Sequence, residues 1–391
     1  MSRWFVSSTA HVQKVPVLLN LSARIRKSPF HQATLDSGVK GFTVYNRMYM
    51  PTYYVSPEED YWPLIRSVSL WDVAVERQVE ITGPDAAKFV QLLTPRNLSK
   101  CKVGQCKYVL ITAEDGGIVN DPVLLRLAEN HFWLSLADSD VLLYAKGVAV
   151  HSGLDVTLCE PDVSPVQVQG PHSADTLAAL FGDWINELQY FHCREAELHG
   201  IPLLVSRTGW SGEKGFEVYL RDGSRGTELW ERIMRAGQPY GIAPGSPSQI
   251  RRIEAGIYSY GADMTTENNP FEIGLGRLVD TELEADFIGK AALQRIKEAG
   301  VTRKLVGVEI DGEPLPAGLE DCLVFDGNSS VGKLTSSVYS PRLKQNLGFA
   351  MVPLRLTEPG TALDLRTPEG TRSATVVPIP FFDLDKQLAK S

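Results

Sequence analysis

Val79-Glu80-Ile81-Thr82-Gly83-Pro84-Asp85-Ala86 is echoed further along the chain by Val166-Gln167-Val168-Gln169-Gly170-Pro171-His172-Ser173. Both phrases alternate apolar and polar residues as a half-buried strand does, then bend at a glycine. The proline that follows is predicted to open a helix, where its missing N–H is not needed. Amphipathic helices are predicted through Phe89 to Leu93 and Leu177 to Phe181. Each copy runs on into further strands, at 108–111 with 122–127 and at 201–206 with 216–220. Two related α+β halves are therefore expected.

After Glu298-Ala299-Gly300 the texture changes to short strands separated by turn signals, at 305–310, 323–325, 332–336, 348–352 and 374–378. That rhythm predicts a small antiparallel barrel. The expected division is an arm at 1–21, the paired halves at 22–300 and the barrel at 301–391.

The 391 residues are 43% hydrophobic and 22% charged, enough for two or three domains with a large core, and no apolar run approaches a bilayer span. A formal charge of -8, with no dense Lys/Arg stripe among aromatics, argues against nucleic acid as partner and for a small molecule. The five cysteines include no Cys-x2-Cys pair, so neither a disulfide framework nor a zinc site is expected, and a reducing, cytoplasmic setting fits. Residues 1–35 are basic with no acid before Asp36; if they include a transit peptide the location is mitochondrial. A homo-oligomer stays open.

Gly327-Asn328-Ser329-Ser330-Val331-Gly332-Lys333-Leu334 almost meets the phosphate-loop pattern, but Leu334 stands where magnesium needs a hydroxyl, and strand-like residues follow in place of a helix. An Asp-Gly-Asn hairpin is expected there. No Gly-x-Gly-x-x-Gly follows a strand, and no His-Glu-x-x-His occurs.

Three other segments carry candidate chemistry. In Asp115-Gly116-Gly117-Ile118-Val119-Asn120-Asp121-Pro122-Val123 a two-glycine turn delivers Asp121 to the start of a strand; taken alone, this also fits a hairpin with a solvated acid. Ser206-Arg207-Thr208-Gly209-Trp210-Ser211-Gly212-Glu213-Lys214-Gly215-Phe216-Glu217 is glycine-rich yet holds Trp210 and Glu217, as loops that let a ligand approach do, although Glu217 also suits the wet face of a strand. Tyr258-Ser259-Tyr260-Gly261-Ala262-Asp263-Met264-Thr265-Thr266-Glu267-Asn268-Asn269-Pro270-Phe271-Glu272-Ile273-Gly274-Leu275 fits either a site or a tie between domains.

Together, and in this order, the three segments resemble the aminomethyltransferase (glycine-cleavage T-protein) superfamily, with its Gly-Gly-x-x-Asp-Asp turn, its Ser-Arg-Thr-Gly-Tyr-x-Gly-Glu-x-Gly-Phe-Glu loop and its Asn-Pro-Phe-Glu-x-Gly-Leu segment. The likeness runs from about Arg24 into the barrel. It implies an α+β fold of duplicated ferredoxin-like halves in a three-domain cloverleaf with a C-terminal antiparallel β-barrel, and tetrahydrofolate in a central funnel. It implies that Asp121 lies near the folate nitrogen that accepts the one-carbon unit, and that Glu217 pairs with the pterin donors. Trp210, Tyr108, Trp133, Arg207 and Gln169 are the further cofactor-side candidates.

The departures point away from glycine cleavage. Asn120 stands for the first Asp of the turn, Ser248 for an Arg ahead of a helix, and Asp72-Val73-Ala74-Val75-Glu76 for Asp-Val-Ser-His-Met. Phe42-Thr43-Val44-Tyr45-Asn46, residues Trp71 to Gln78 and Asn120-Asp121-Pro122-Val123 resemble the dimethylsulfoniopropionate demethylase branch, although Arg47 and Tyr49-Met50 differ from its usual phrase. The expected function is methyl transfer from a small donor, such as a sulfonium, to N5 of tetrahydrofolate, with Tyr45, Met50, Trp71 and Glu76 on the donor side. The alternatives are an aminomethyltransferase or a folate-dependent N- or O-demethylase, and a non-catalytic folate-binding module.

Overall fold

The protein is described by a computed structural model covering residues 24–316, 322–367 and 370–391. The expected arm at 1–21 lies outside those residues.

Both echoed phrases fold alike. Strand Gln78–Thr82 leads into helix Ala86–Leu93, and strand Ser164–Gln169 into helix Ser173–Phe181. The prolines do not open the helices as expected. They sit inside a turn in which the amide of Ala86 donates to the Gly83 carbonyl at 3.1 Å and that of Ser173 to Gly170 at 3.0 Å. Asp85 and His172, at φ/ψ of -102/13 and -98/16, take the third place of a type I turn in both copies. Gly83 (φ 121) and Gly170 (φ 123) are required twice over, because a Cβ on either would also lie 2.6 Å from a backbone carbonyl oxygen.

The first strand joins a five-stranded antiparallel sheet in the order Thr157–Cys159, Gln78–Thr82, His131–Ser135, Val123–Ala128, Cys106–Tyr108. The second joins a six-stranded sheet in the order Cys193–Leu198, Ile201–Ser206, Gly215–Leu220, Ser164–Gln169, Val68–Asp72, Ile242–Gly245. Strand Val68–Asp72 precedes the first echo in the chain but lies beside the second, so the two sheets exchange a segment. Their strands alternate between two buried faces. Val79, Ile81, Phe132 and Leu134 face helices Ala86–Leu93 and Val141–Ser152, while Val166, Val168, Phe216 and Val218 face helices Ser173–Phe181 and Gly226–Gly237. The opposite faces meet each other through Cys106, Leu125, Trp133, Leu204 and Tyr219. Four layers result, helix on sheet on sheet on helix.

The C-terminal region is the expected closed barrel, ordered Arg303–Ile310, Gln345–Pro353, Ser329–Ser340, Leu323–Asp326, Ala362–Thr367, Gly370–Val377 and back. Strand Ala362–Thr367 was not foreseen; its Ala-Leu-Asp-Leu-Arg alternation is only five residues long, beside a Pro-Gly turn. The phosphate-loop lookalike is a hairpin, with Gly327-Asn328 linking the paired Asp326 and Ser329. Arg252 holds the barrel to the sheets by donating to Asp263 Oδ2 at 2.6 Å and Ser336 Oγ at 2.8 Å, while Thr335 and Ser336 also donate to Asp263 Oδ1. Among the described residues no helix is long and apolar enough to cross a membrane.

Candidate functional site

The turn that delivers Asp121 is built from its own sequence. Asp115 Oδ1 accepts from the Gly117 amide at 2.9 Å, Gly116 takes φ 88, and Ala113 and Gly117 pair at 2.8 Å. A Cβ on Gly117 would lie 2.2 Å from the Thr266 carbonyl oxygen, and the Ile118 amide donates to Asn268 at 3.0 Å. The Gly-Gly turn is thus clamped on the Asn-Pro segment, which fixes where the next residues emerge. Asn120 is fully buried. Its side-chain amide donates to Ala137 O and Ser139 Oγ and accepts from the Ala137 amide, so it braces the 137–139 loop. Asp138 in that loop accepts from the Asn46 amide at 2.8 Å, which places neighbouring Tyr45 within electrostatic range of Asp121 and Glu76.

Asp121 Oδ2 accepts from the Tyr108 hydroxyl at 2.9 Å, whereas Oδ1 is buried with no hydrogen-bond partner. Burial raises the carboxyl to about 7, with Asp263 adding to the rise and the Tyr108 hydrogen bond opposing it. A buried carboxylate oxygen without a donor is expensive, and it marks a place where a ligand's donor fits.

Glu217 does not face water. Phe216 and Val218 point into one core, and Glu217 points the other way, into the seam between the sheets, where it too is buried. Gln167, its register partner, donates to Oε1 at 2.8 Å, while Thr208 and Tyr219 donate to Oε2. Ser206, opposite Glu217 on the neighbouring strand, is a further donor, so the chain itself takes up most of the carboxylate's acceptor capacity. The Gln167 amide also reaches Glu76 Oε1 at 3.2 Å. Burial, then Glu217 and Asp121, push Glu76 well above the ordinary carboxylate range, and burial raises Glu217 against the pull of its donors. Glu76 thus bridges the two other acids electrostatically.

Tyr45, Glu76, Tyr108, Asp121, Tyr258 and Tyr260 are linked by hydrogen bonds or close electrostatic contact, and each of them, like Trp210, keeps part of its surface open. Trp210 is pinned beside them, its amide donating to Gln167 Oε1 at 3.4 Å and its ring N–H to the Tyr258 carbonyl at 3.3 Å. Burial pushes the Tyr258 phenol up to about 12.

Other sequence candidates are spent elsewhere. Trp133 is a wedge between the sheets, fully buried, 6.0 Å from the Tyr219 ring and donating to Glu80. Trp71 is buried against Leu64 and Val73 and donates to Ser69 Oγ. Arg207 donates to the carbonyls of Leu188 and Ser391. Gln169 accepts from Ser211 at 2.5 Å and lies so close to Gly209 and Gly215 that a Cβ on either would collide with its amide, which explains the loop's glycines. Met50 is half-buried against the core below the hairpin. Ser248 caps its helix, accepting from the Arg251 amide at 3.2 Å. Gln167, Tyr258 and Tyr260 were not singled out. The place of Gln167 two residues before Gln169, on the same face of the strand, was the available signal.

Residues 30–282 match the GCVT N-terminal domain and residues 303–383 the glycine cleavage T-protein C-terminal barrel domain. The dimethylsulfoniopropionate demethylase DmdA of Ruegeria pomeroyi is 41% identical over 355 residues, 91% of this chain and 97% of that protein. An aminomethyltransferase of Bacillus cereus is 31% identical over 343 residues, 86% of this chain and 93% of its own. The crystal structure of the glycine cleavage system aminomethyltransferase T from Bartonella henselae superposes with a TM-score of 0.82 at 24% identity, covering 92% of this chain and 99% of that one, which fixes the shared fold.

Proposed function

We propose, from the premise that this chain belongs to the glycine cleavage T-protein family and lies on its DmdA-like branch, that it moves a methyl group from dimethylsulfoniopropionate or a related sulfonium to N5 of tetrahydrofolate. The family uses tetrahydrofolate, and the chain is a folate-dependent one-carbon transferase. The observation that carries the methyl-transfer reading is the grouping of three enclosed carboxylates, Glu76, Asp121 and Glu217, with Tyr45, Tyr108 and Trp210 beside them.

These residues fit the folate. The unpartnered Asp121 Oδ1 awaits a donor, and a pterin N–H would exchange for one of the chain's own donors at Glu217. Tetrahydrofolate, when bound, supplies the N5 nucleophile that takes the methyl carbon as the carbon–sulfur bond breaks and the sulfonium leaves as a neutral thioether. The face of Tyr45 favours a cation at the donor position, and a bound cation draws the raised Glu76 carboxyl toward its charged form. Trp210, itself fixed by its hydrogen bonds to Gln167 and Tyr258, excludes water and limits the positions the reactants can take. Asp121 stabilises the positive charge that develops at N5, and its Oδ1 accepts the proton released there. A carboxyl near 7 is half ionised at neutral pH, well placed to take and return that proton. The cytoplasm is the compartment we propose.

Asp121→Asn is expected to lower turnover by about 100-fold or more, while calorimetry shows folate still bound. Near wild-type turnover in this variant removes Asp121 from the chemistry. Glu217→Ala, read by the same calorimetry, is expected to weaken folate binding.

A further inference from the structure

Cys106 and Cys193 occupy the same place in the two halves of the fold. Each lies 23 residues beyond the turn glycine of its echo, Gly83 or Gly170, so the two are 87 residues apart, as Val79 and Val166 are. Cys106 opens Cys106–Tyr108, an edge strand of the five-stranded sheet, and Cys193 opens Cys193–Leu198, an edge strand of the six-stranded one. The two edges meet in an antiparallel bridge between Gln105 and His192, again 87 residues apart. There the Cys106 amide donates to Phe191 O at 2.7 Å and the Cys193 amide to Gly104 O at 2.8 Å. Exchanging the halves turns one of these bonds into the other. A local two-fold thus passes through the bridge and brings together two cysteines that lie far apart in the chain.

Their thiols are in hydrogen-bond contact, within the seam that also holds Trp133 and Tyr219. Cys106 is fully buried, whereas Cys193 keeps 8% of its surface open where it meets the 102–104 loop, whose Lys102 and Val103 are exposed. A small oxidant therefore reaches Cys193 first. The seam is also tied to the site, because Tyr219 donates to Glu217 Oε2 and the Cys106 sulfur lies within electrostatic range of both.

We propose that Cys106 and Cys193 form a modification site, a dithiol that hydrogen peroxide converts to a disulfide joining the two halves, and that the bridged chain binds folate less tightly. The Cys193 thiolate attacks the peroxide, the O–O bond breaks, and a sulfenic acid and one water result. The Cys106 sulfur then displaces the hydroxyl, which leaves as a second water with the Cys106 proton as the S–S bond forms. Two thiols lose two electrons and two protons, and the peroxide takes up both. Closing the bond to about 2.05 Å draws the edge strands in against Tyr219 and loosens its hold on Glu217. The effect on folate rests on the reading above; the disulfide does not.

The full chain, treated with hydrogen peroxide, desalted and then alkylated in denaturant, tests the site. Iodoacetamide labelling should fall by two cysteines per chain, peptide mapping without reductant should find Cys106 joined to Cys193, and dithiothreitol should restore the labelling. Calorimetry should show 5-methyltetrahydrofolate bound severalfold more weakly by the oxidised chain, with recovery in dithiothreitol. Cys193→Ala should keep the affinity of the reduced chain and lose the response to peroxide. Cys101→Ser, which removes the third thiol within electrostatic range of the pair, should keep the response. Undiminished labelling, a bridge through Cys101 instead, or unchanged folate affinity in the bridged chain overturns the proposal. A reduced chain that binds no folate overturns the folate reading, and the peptide map still decides the bridge.

Discussion

Asp121 has one oxygen bonded to a phenol and one left open, and both facts have consequences for pH. With its carboxyl raised to about 7, turnover should climb as pH rises through that value and level off above it. Removing the Tyr108 hydroxyl takes away a donor that favours the charged form, so Tyr108→Phe should move the midpoint of the kcat profile upward. A midpoint unmoved or lowered contradicts the assignment. The same shift enters stability. An unfolded Asp titrates near about 4 and the folded group near about 7, so the native state holds the extra proton in between and loses stability as pH rises across that window. The Tm of Asp121→Asn relative to wild type should therefore be higher at pH 8 than at pH 5.

Elements position this residue more than its own chemistry does. Gly117 has no room for a Cβ against Thr266, so Gly117→Ala should displace the turn or the Asn-Pro segment, cost about 1–3 kcal/mol by overpacking, and reduce turnover through misplacement of Asp121. Denaturant titration alongside kcat measures both. The turn, the glycine-rich loop and the barrel rhythm were legible in the sequence because glycine, proline and strict alternation act locally. The directions of Trp71, Trp133, Arg207 and Gln169 were not legible. An indole or a guanidinium is as readily spent in a seam between sheets as in a cleft, and which one occurs depends on strands far apart in the chain, such as His131–Ser135 meeting Gly215–Leu220. Glu217 shows the same limit. Its flanking apolar residues revealed alternation, but only the face-to-face packing of two sheets makes its other side a buried one. Asn120 was read as a change on the donor side; it acts at one remove, by bracing the loop that holds the Tyr45 hairpin.

At the scale of the molecule, the barrel is coupled to Asp121 through buried charge. Asp263 pairs with Arg252, receives Thr335 and Ser336 from the barrel, and contributes to the raised carboxyl of Asp121. Asp263→Ala leaves a buried guanidinium unpaired, which should cost about 3–5 kcal/mol and appear as a lowered urea midpoint. Loss of that negative charge should also let the pH midpoint of any remaining turnover fall, the opposite direction from Tyr108→Phe. The most direct test of the whole account is the product formed from tetrahydrofolate and dimethylsulfoniopropionate, followed by chromatography. We predict 5-methyltetrahydrofolate and the demethylated thioether in equal amounts, dependent on Asp121. A 5,10-methylene product from an aminomethyl donor, or no folate product from any sulfonium, would contradict it.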